Sequence, residues 1–210
     1  MTIVKTIFLM MALALAAFGG GKSNDAPQYT FIKKEKGVSL YYRWIVVENK
    51  LKVRELKAEF AVTSTPDKII GVLKNETVAT QWMKGTSEVN RLGNPTGNTW
   101  HSYIEYDIPW PLSNQDCIVQ YELRREVSSN NYFITMKGLP KYIPEKKGVT
   151  RIQHLIGTWT LSPVNGKSCR VVYTIYSGQA PSFPRWITDP IIQGNLINTM
   201  DAFRTLVEKS

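Results

Sequence analysis

Hydrophobic and polar residues alternate along most of the chain from Gly37 onward. "VSLYYRWIVV" and "KVRELKAEFAV" read as two strands, with a turn at Asn49-Lys50 between them. In the second run Val53, Leu56, Ala58, Phe60 and Val62 mark an apolar face whose phase slips near Glu55, which predicts a β-bulge. "STPDKIIGVLKN" switches to helical spacing. Ser64 or Thr65 can cap it, Pro66 suits the first turn, and Asp67 complements the dipole. "ETVATQWMKG" predicts a second short helix anchored by Trp82. Strand patterns resume at "SEVNRL", "NTWHSYIEYDI", "CIVQYELRREV", "NYFITMKG", "VTRIQHLIGTWTL" and "CRVVYTIYSG". The chain closes on Ile192, Leu196, Thr199, Met200, Phe203, Leu206 and Val207, spaced mostly by three and four. They predict one long amphipathic helix whose first turn holds Pro184 or Pro190; a start at Pro184 requires a kink at Pro190.

This order predicts an α+β fold: a curved antiparallel sheet of about eight strands wrapped around a long C-terminal helix, with two short helices after the first strands. Such a sheet cannot fill its own middle, so an internal apolar cavity is expected. Its wall on two neighbouring strands is read as Ser102, Ile104 and Tyr106 facing Val119, Tyr121 and Leu123, none of them charged. Between those strands Pro109-Trp110-Pro111 stops the alternation, because each proline removes a ladder donor. Trp110 either packs under that corner or sits at a membrane-facing edge.

Composition narrows the function classes. The 210 residues are 43% hydrophobic and 20% charged, with a net charge of +9. The basic balance suits an anionic partner without choosing one. Its basic residues, such as Lys33, Arg43, Lys52, Arg124 and Lys147, are scattered as on a solvated surface, which argues against nucleic acid. Lys5, an uncharged run from Thr6 to Phe18 and small residues up to Gly19 have the layout of a secretory signal, with an uncleaved anchor as the alternative. The expected division is residues 1–21 as signal, 22–36 as linker and 37–210 as one domain, in an exported protein of the periplasm or medium. "GGGKS" lacks the earlier glycine of a phosphate-binding loop and is a decoy. No spacing supports a catalytic triad, a metal site or a cofactor. Cys117 and Cys169 read as buried thiols, with a disulfide between them as the alternative in an exported chain. Of the two histidines, His154 shares parity with Ile152 and is expected inward, either as a ligand contact or as a structural side chain. His101 is expected outward.

From about Gly37 to Lys209 the chain resembles the START domain, the lipid-transfer domain related to the steroidogenic acute regulatory protein. "PLSNQDCIV", "IPEKKGVTRIQHLIGTWTLSP", "CRVVYTIYSGQAPSFPRWI" and the final helix carry the resemblance through their order and spacing. The resemblance implies a helix-grip fold holding one lipid or other hydrophobic molecule without catalysis. An enzyme of the same superfamily, a cyclase or hydrolase, is the rival. It also implies that Cys117 and Cys169 lie on separated strands and are not bonded. Gln115 departs from the family's arginine in the turn, and Asp116 is expected to tie that turn through its backbone. The implied ligand contacts are Ile104, Tyr106, Val119, Tyr121 and His154, with Asn195 and Asn198 of the helix as polar partners. "GLPKYIPEKKG" matches the family's lid loop in place, so Leu139, Tyr142 and Ile143 are expected to cap the cavity or meet an anionic membrane. Phe183 and Trp186 would form the opposite rim.

Overall fold

β-branched and aromatic residues at every second position build ten strands in the computed structural model, which describes residues 27–47, 50–108, 113–178 and 184–210. The strands are β1 Thr30–Glu35, β2 Val38–Val46, β3 Lys52–Val62, β4 Thr86–Arg91, β5 Thr99–Tyr106, β6 Gln115–Glu126, β7 Asn131–Gly138, β8 Thr150–Arg151, β9 Leu155–Asn165 and β10 Ser168–Ser177. They form one sheet in the order β1-β2-β3-β10-β9-β7-β6-β5-β4. All pairings are antiparallel except that of the short β8, which lies parallel to β6. Helices α1 (Pro66–Leu73) and α2 (Ala79–Trp82) connect β3 to β4, and α3 (Arg185–Lys209) closes the chain. The link between β1 and β2 is Lys36-Gly37, both at positive φ, as a two-residue hairpin needs.

α3 spans the gap between the two borders of the curled sheet. From the β1–β2 turn, Lys36 Nζ donates to Asn198 Oδ1 at 2.7 Å. From the link before β4, the Lys84 backbone N–H donates to Thr199 Oγ1 at 3.1 Å. Beyond the end of β3, the Thr63 N–H donates to Glu208 Oε1 at 2.9 Å. Held this way, α3 runs alongside β3 and faces the hollow side of the central strands.

The core lies between α3 and that hollow side. Trp82 of α2 and Trp159 of β9 clasp Phe203 edge-on and tilted, with ring centroids at 4.8 and 5.0 Å. Tyr173 of β10 extends the cluster at 4.5 Å from Trp159. The buried side chains of α3 are Ile197, Met200, Phe203 and Val207, all in its second half. Ile192, expected in the stripe, is exposed, and Ile197 takes its place in the packing.

Three other expectations are corrected. Residues 30–35, read as linker, form edge strand β1. β3 has no bulge, since its registers with β2 and β10 run without a shift. The phase slip arises because Val53 and Glu55 are buried from the outer side, where Tyr29 donates its hydroxyl to Glu55. The strand read through Val149–Leu161 is interrupted at residues 152–154, so β8 and β9 are separate elements on different neighbours. The Pro109–Trp110–Pro111 corner and the N-terminal signal lie outside the described residues.

Candidate functional site

Register fixes which side chains face the hollow. Ser102 pairs with Val119 and Ile104 with Cys117, so the inward rows of β5 and β6 are Ser102, Ile104, Tyr106 and Cys117, Val119, Tyr121. Ile104, Val119 and Tyr121 are buried and Tyr106 is partly so, and each stands on the expected face. Tyr121 stacks flat on Trp100 with centroids 5.0 Å apart. Over this stretch the inward row is uncharged, its polar groups being hydroxyls, a thiol and the Gln115 amide opposite Tyr106.

Four weakly acidic groups stand on the inward rows of β5, β6 and β10: Tyr106, Cys117, Tyr121 and Tyr173. Burial pushes the Cys117 thiol up to about 12, while a hydrogen bond with Tyr106 acts the other way. Burial also drives the phenols of Tyr106, Tyr121 and Tyr173 above their ordinary value, and Cys117 adds to the shift of each. β7 and β9 separate β6 from β10 in the sheet. The sequence reading missed Cys117 and Tyr173 as site residues. Alternation in "CRVVYTIYS" puts Tyr173 on the same face as Val171, which would have found it.

The loop expected to be a lid is on the other side. Tyr103, Glu105 and Asp116 point outward from β5 and β6, and the segment Gly138–Gly148 folds over them. Arg151 fixes it. Its guanidinium donates to Asp116 from Nε to Oδ1 at 2.6 Å and from Nη2 to Oδ2 at 3.0 Å. It also donates to the carbonyls of Pro140 (2.7 Å), Ile143 (3.1 Å) and Pro144 (3.2 Å). Both charged side chains are 1% exposed. Lys146 donates to Glu105 Oε2 at 2.7 Å, which also accepts from the Tyr103 hydroxyl at 2.9 Å. Tyr142 stacks on His101, on the outer face as that histidine was expected, at 4.9 Å. Leu139, Tyr142 and Ile143 therefore cover the convex face of the sheet and do not cap the hollow. Asp116 ties to Arg151; the turn between β5 and β6 is tied instead by Asn114, whose Oδ1 accepts from the Ile108 N–H at 3.1 Å.

The helix-side polar candidates are also displaced. His154 is exposed in the break between β8 and β9; its carbonyl accepts from the Gly178 N–H at 3.0 Å. Parity with Ile152 fails because no strand joins them. Asn195 and Asn198 are exposed on α3, where Asn198 takes the bond from Lys36. Phe183 lies outside the described residues, and Trp186 stands in the first turn of α3 with 78% of its surface exposed.

The first half of α3 is tied to the sheet by a bidentate pair: Arg54 of β3 donates from Nη2 to Asp189 Oδ1 at 2.6 Å and from Nη1 to Oδ2. Beside it a groove of about 420 Å³ runs between α3 and the β1–β2 border, lined by Phe31, Tyr42 and Trp44. At this end Trp44, Val46, Leu51, Trp186 and Ile191 are exposed, and Lys52 and Arg185 lie over the Trp44 ring.

No family model matches the chain. An uncharacterized protein of Pseudomonas aeruginosa is 26% identical over 211 residues, covering 98% of this chain and all of that protein. Among solved structures, a STAR-related lipid transfer protein fragment from Xanthomonas axonopodis superposes with a TM-score of 0.74 at 24% identity, over 85% of this chain and 98% of the other. Human StAR-related lipid transfer protein 5 gives 0.70 at 14% identity, over 89% of each chain. The aromatase/cyclase ZhuI from Streptomyces sp. R1128 gives 0.54 at 12% identity, over 75% of this chain and 94% of the other. With its ten-stranded sheet gripping a single long C-terminal helix, this chain has the START-type helix-grip fold.

Proposed function

We propose that this protein binds one hydrophobic ligand, a lipid or a molecule like it, between the hollow of the sheet and the first half of α3, and carries it without chemical change. The packing of α3 is the observation that carries the reading: its buried side chains begin only at Ile197, so its first half does not fill the concave side of the sheet beneath it. The lipid-transfer proteins that share the fold support the same reading.

An enzyme reading gains nothing from the interior. Burial holds its phenols and thiol protonated, which suits donation to a bound molecule and not proton abstraction. Exposed Trp44, Val46, Leu51 and Trp186, with Lys52 and Arg185 among them, suit transient contact of the open end with an anionic membrane. Export with loss of about the first 20 residues follows from the signal layout; an intact mass from the native host that retains them would refute it. The direct test of binding is native mass spectrometry of purified protein, with extraction of the bound species, beside transfer of labelled lipid between vesicles. A stoichiometric hydrophobic ligand is expected, and its loss in Cys117→Trp, which fills the hollow. An empty wild-type protein that moves no lipid would overturn the proposal.

A further inference from the structure

We infer that Lys52 and Arg185, both over the Trp44 ring, form a clamp for the phosphate of an anionic membrane phospholipid; this rests on the membrane contact proposed above and names the headgroup and the side chains that make it.

Register places the clamp. Tyr42 pairs with Leu56, Trp44 with Arg54 and Val46 with Lys52, so Trp44, Lys52 and Arg54 share one face at the open end of β2 and β3. It is the concave face, since Leu40 and Ala58 continue the same rows into the core. Arg54 is engaged by Asp189, and that pair lines one groove with Tyr42 and Trp44. The other two cations are not engaged. Lys52 Nζ stands 5.3 Å from the Trp44 ring centroid and the Arg185 guanidinium carbon 4.6 Å from it, and neither makes an ion pair or a hydrogen bond among the described residues. The first turn of α3 brings no acid to them. Two like charges gathered on one ring repel each other, and the ring offsets only part of that. An oxyanion shared between them replaces the repulsion with two attractions. A phosphate diester carries one negative charge on two free oxygens, so it can accept from the ammonium and the guanidinium at once. The neighbours of the clamp choose a lipid headgroup over free phosphate. Val46 and Leu51 beside Lys52, and Trp186 and Ile191 beyond Arg185, are exposed and apolar. Such side chains can enter the acyl layer while indole rings and cations stay at headgroup depth.

The test sediments the protein with vesicles of phosphatidylcholine alone or with phosphatidylglycerol added. Two double variants lose the same charge: Lys52→Gln with Arg185→Gln, and Lys141→Gln with Lys147→Gln, exposed lysines of the convex-face loop. All four positions are exposed, so unfolding midpoints should match the wild type. The wild type is expected to bind the anionic vesicles far more tightly than the neutral ones. The clamp variant should bind the anionic vesicles about twentyfold more weakly, about fivefold for each cation lost. The loop variant should lose about twofold or less, because salt screens charges away from the contact. Inorganic phosphate at the concentration of the lipid phosphate should not displace the wild type. If the two double variants lose the same affinity, net charge alone acts, and the inference falls while the membrane contact stands. Displacement by inorganic phosphate would make this a site for the free anion and overturn the lipid assignment. A wild-type dimer that the clamp variant cannot form would make a second copy the occupant and also overturn it. If the wild type binds neither vesicle, the membrane contact and the inference fall together, whatever ligand native mass spectrometry finds in the hollow.

Discussion

Arg151→Met tests whether the Gly138–Gly148 loop is a rivet on the back of the sheet or a lid over the hollow. The substitution keeps a long apolar stem and removes five donor contacts, two to Asp116 and three to loop carbonyls. With both ionic side chains 1% exposed, the Asp116 carboxylate would be left charged, desolvated and unpaired. Breaking a buried pair from one side costs about 3–5 kcal/mol. The three carbonyls add little beyond that, because an unpinned loop can expose them to water. A loss of about 4 kcal/mol is therefore expected in urea unfolding, a large share of the ~5–15 kcal/mol typical of a domain. Asp116→Leu combined with Arg151→Met removes both charges and should recover about 2 kcal/mol or more of the loss. Hydrogen exchange should speed up across residues 138–149, while lipid exchange per folded molecule stays at the wild-type rate. A single-variant loss below about 1 kcal/mol would refute the buried-pair argument. Lipid exchange that accelerates with the loosened loop would restore it as a gate.

Arg54→Gln, or Asp189→Asn, removes the bidentate tie between the sheet and the first half of α3; vesicle-to-vesicle ligand exchange should rise several-fold with little change in melting temperature, and an unchanged rate would show that this end of α3 does not open. Glu105 has its pKa lowered, first by the hydrogen bond from Lys146, so its contribution to stability is full above the unfolded glutamate value and is lost as pH falls through the lower folded value. Glu105→Gln should thus flatten the fall of stability below about pH 4.3, and a slope parallel to wild type would contradict the assignment. Cys117 and Cys169 are free and buried, with burial pushing their thiols up to about 12 and about 11. Both should resist alkylation at pH 8 in the native protein and react fully in denaturant without reductant; a native rate like that of a free thiol would place them at an opening.

Alternation was enough to read most strands, since each inward row must be apolar wherever α3 or the hollow lies opposite; β3 and β7 carry the very bounds their patterns predict. What alternation cannot supply is which side of the sheet a connection crosses. The segment "GLPKYIPEKKG" has the apolar residues of a cap, and nothing local in it says that they pack on the convex face. The deciding residues are Asp116 and Arg151, thirty-five positions apart, each a charge set in an apolar strand pattern. A charge in such a place must be paired if the strand is buried on both faces, so "QDCIV" and "VTRIQ" together signalled a partner that a one-face reading discarded. The same one-face assumption produced the bulge at Glu55, where a second covered face is the cause. His154 failed for a different reason: parity holds only while the ladder does, and the ladder stops at Arg151. Tyr106 and Tyr121 were placed correctly because continuous pairing from Thr99 to Tyr106 left their side no freedom. Inward placement read from sequence is therefore as strong as the unbroken register beneath it, and inward polar groups are best sought on long unshifted runs of pairing, such as β5–β6 and the part of β9–β10 beyond the shift at Ser168/Cys169.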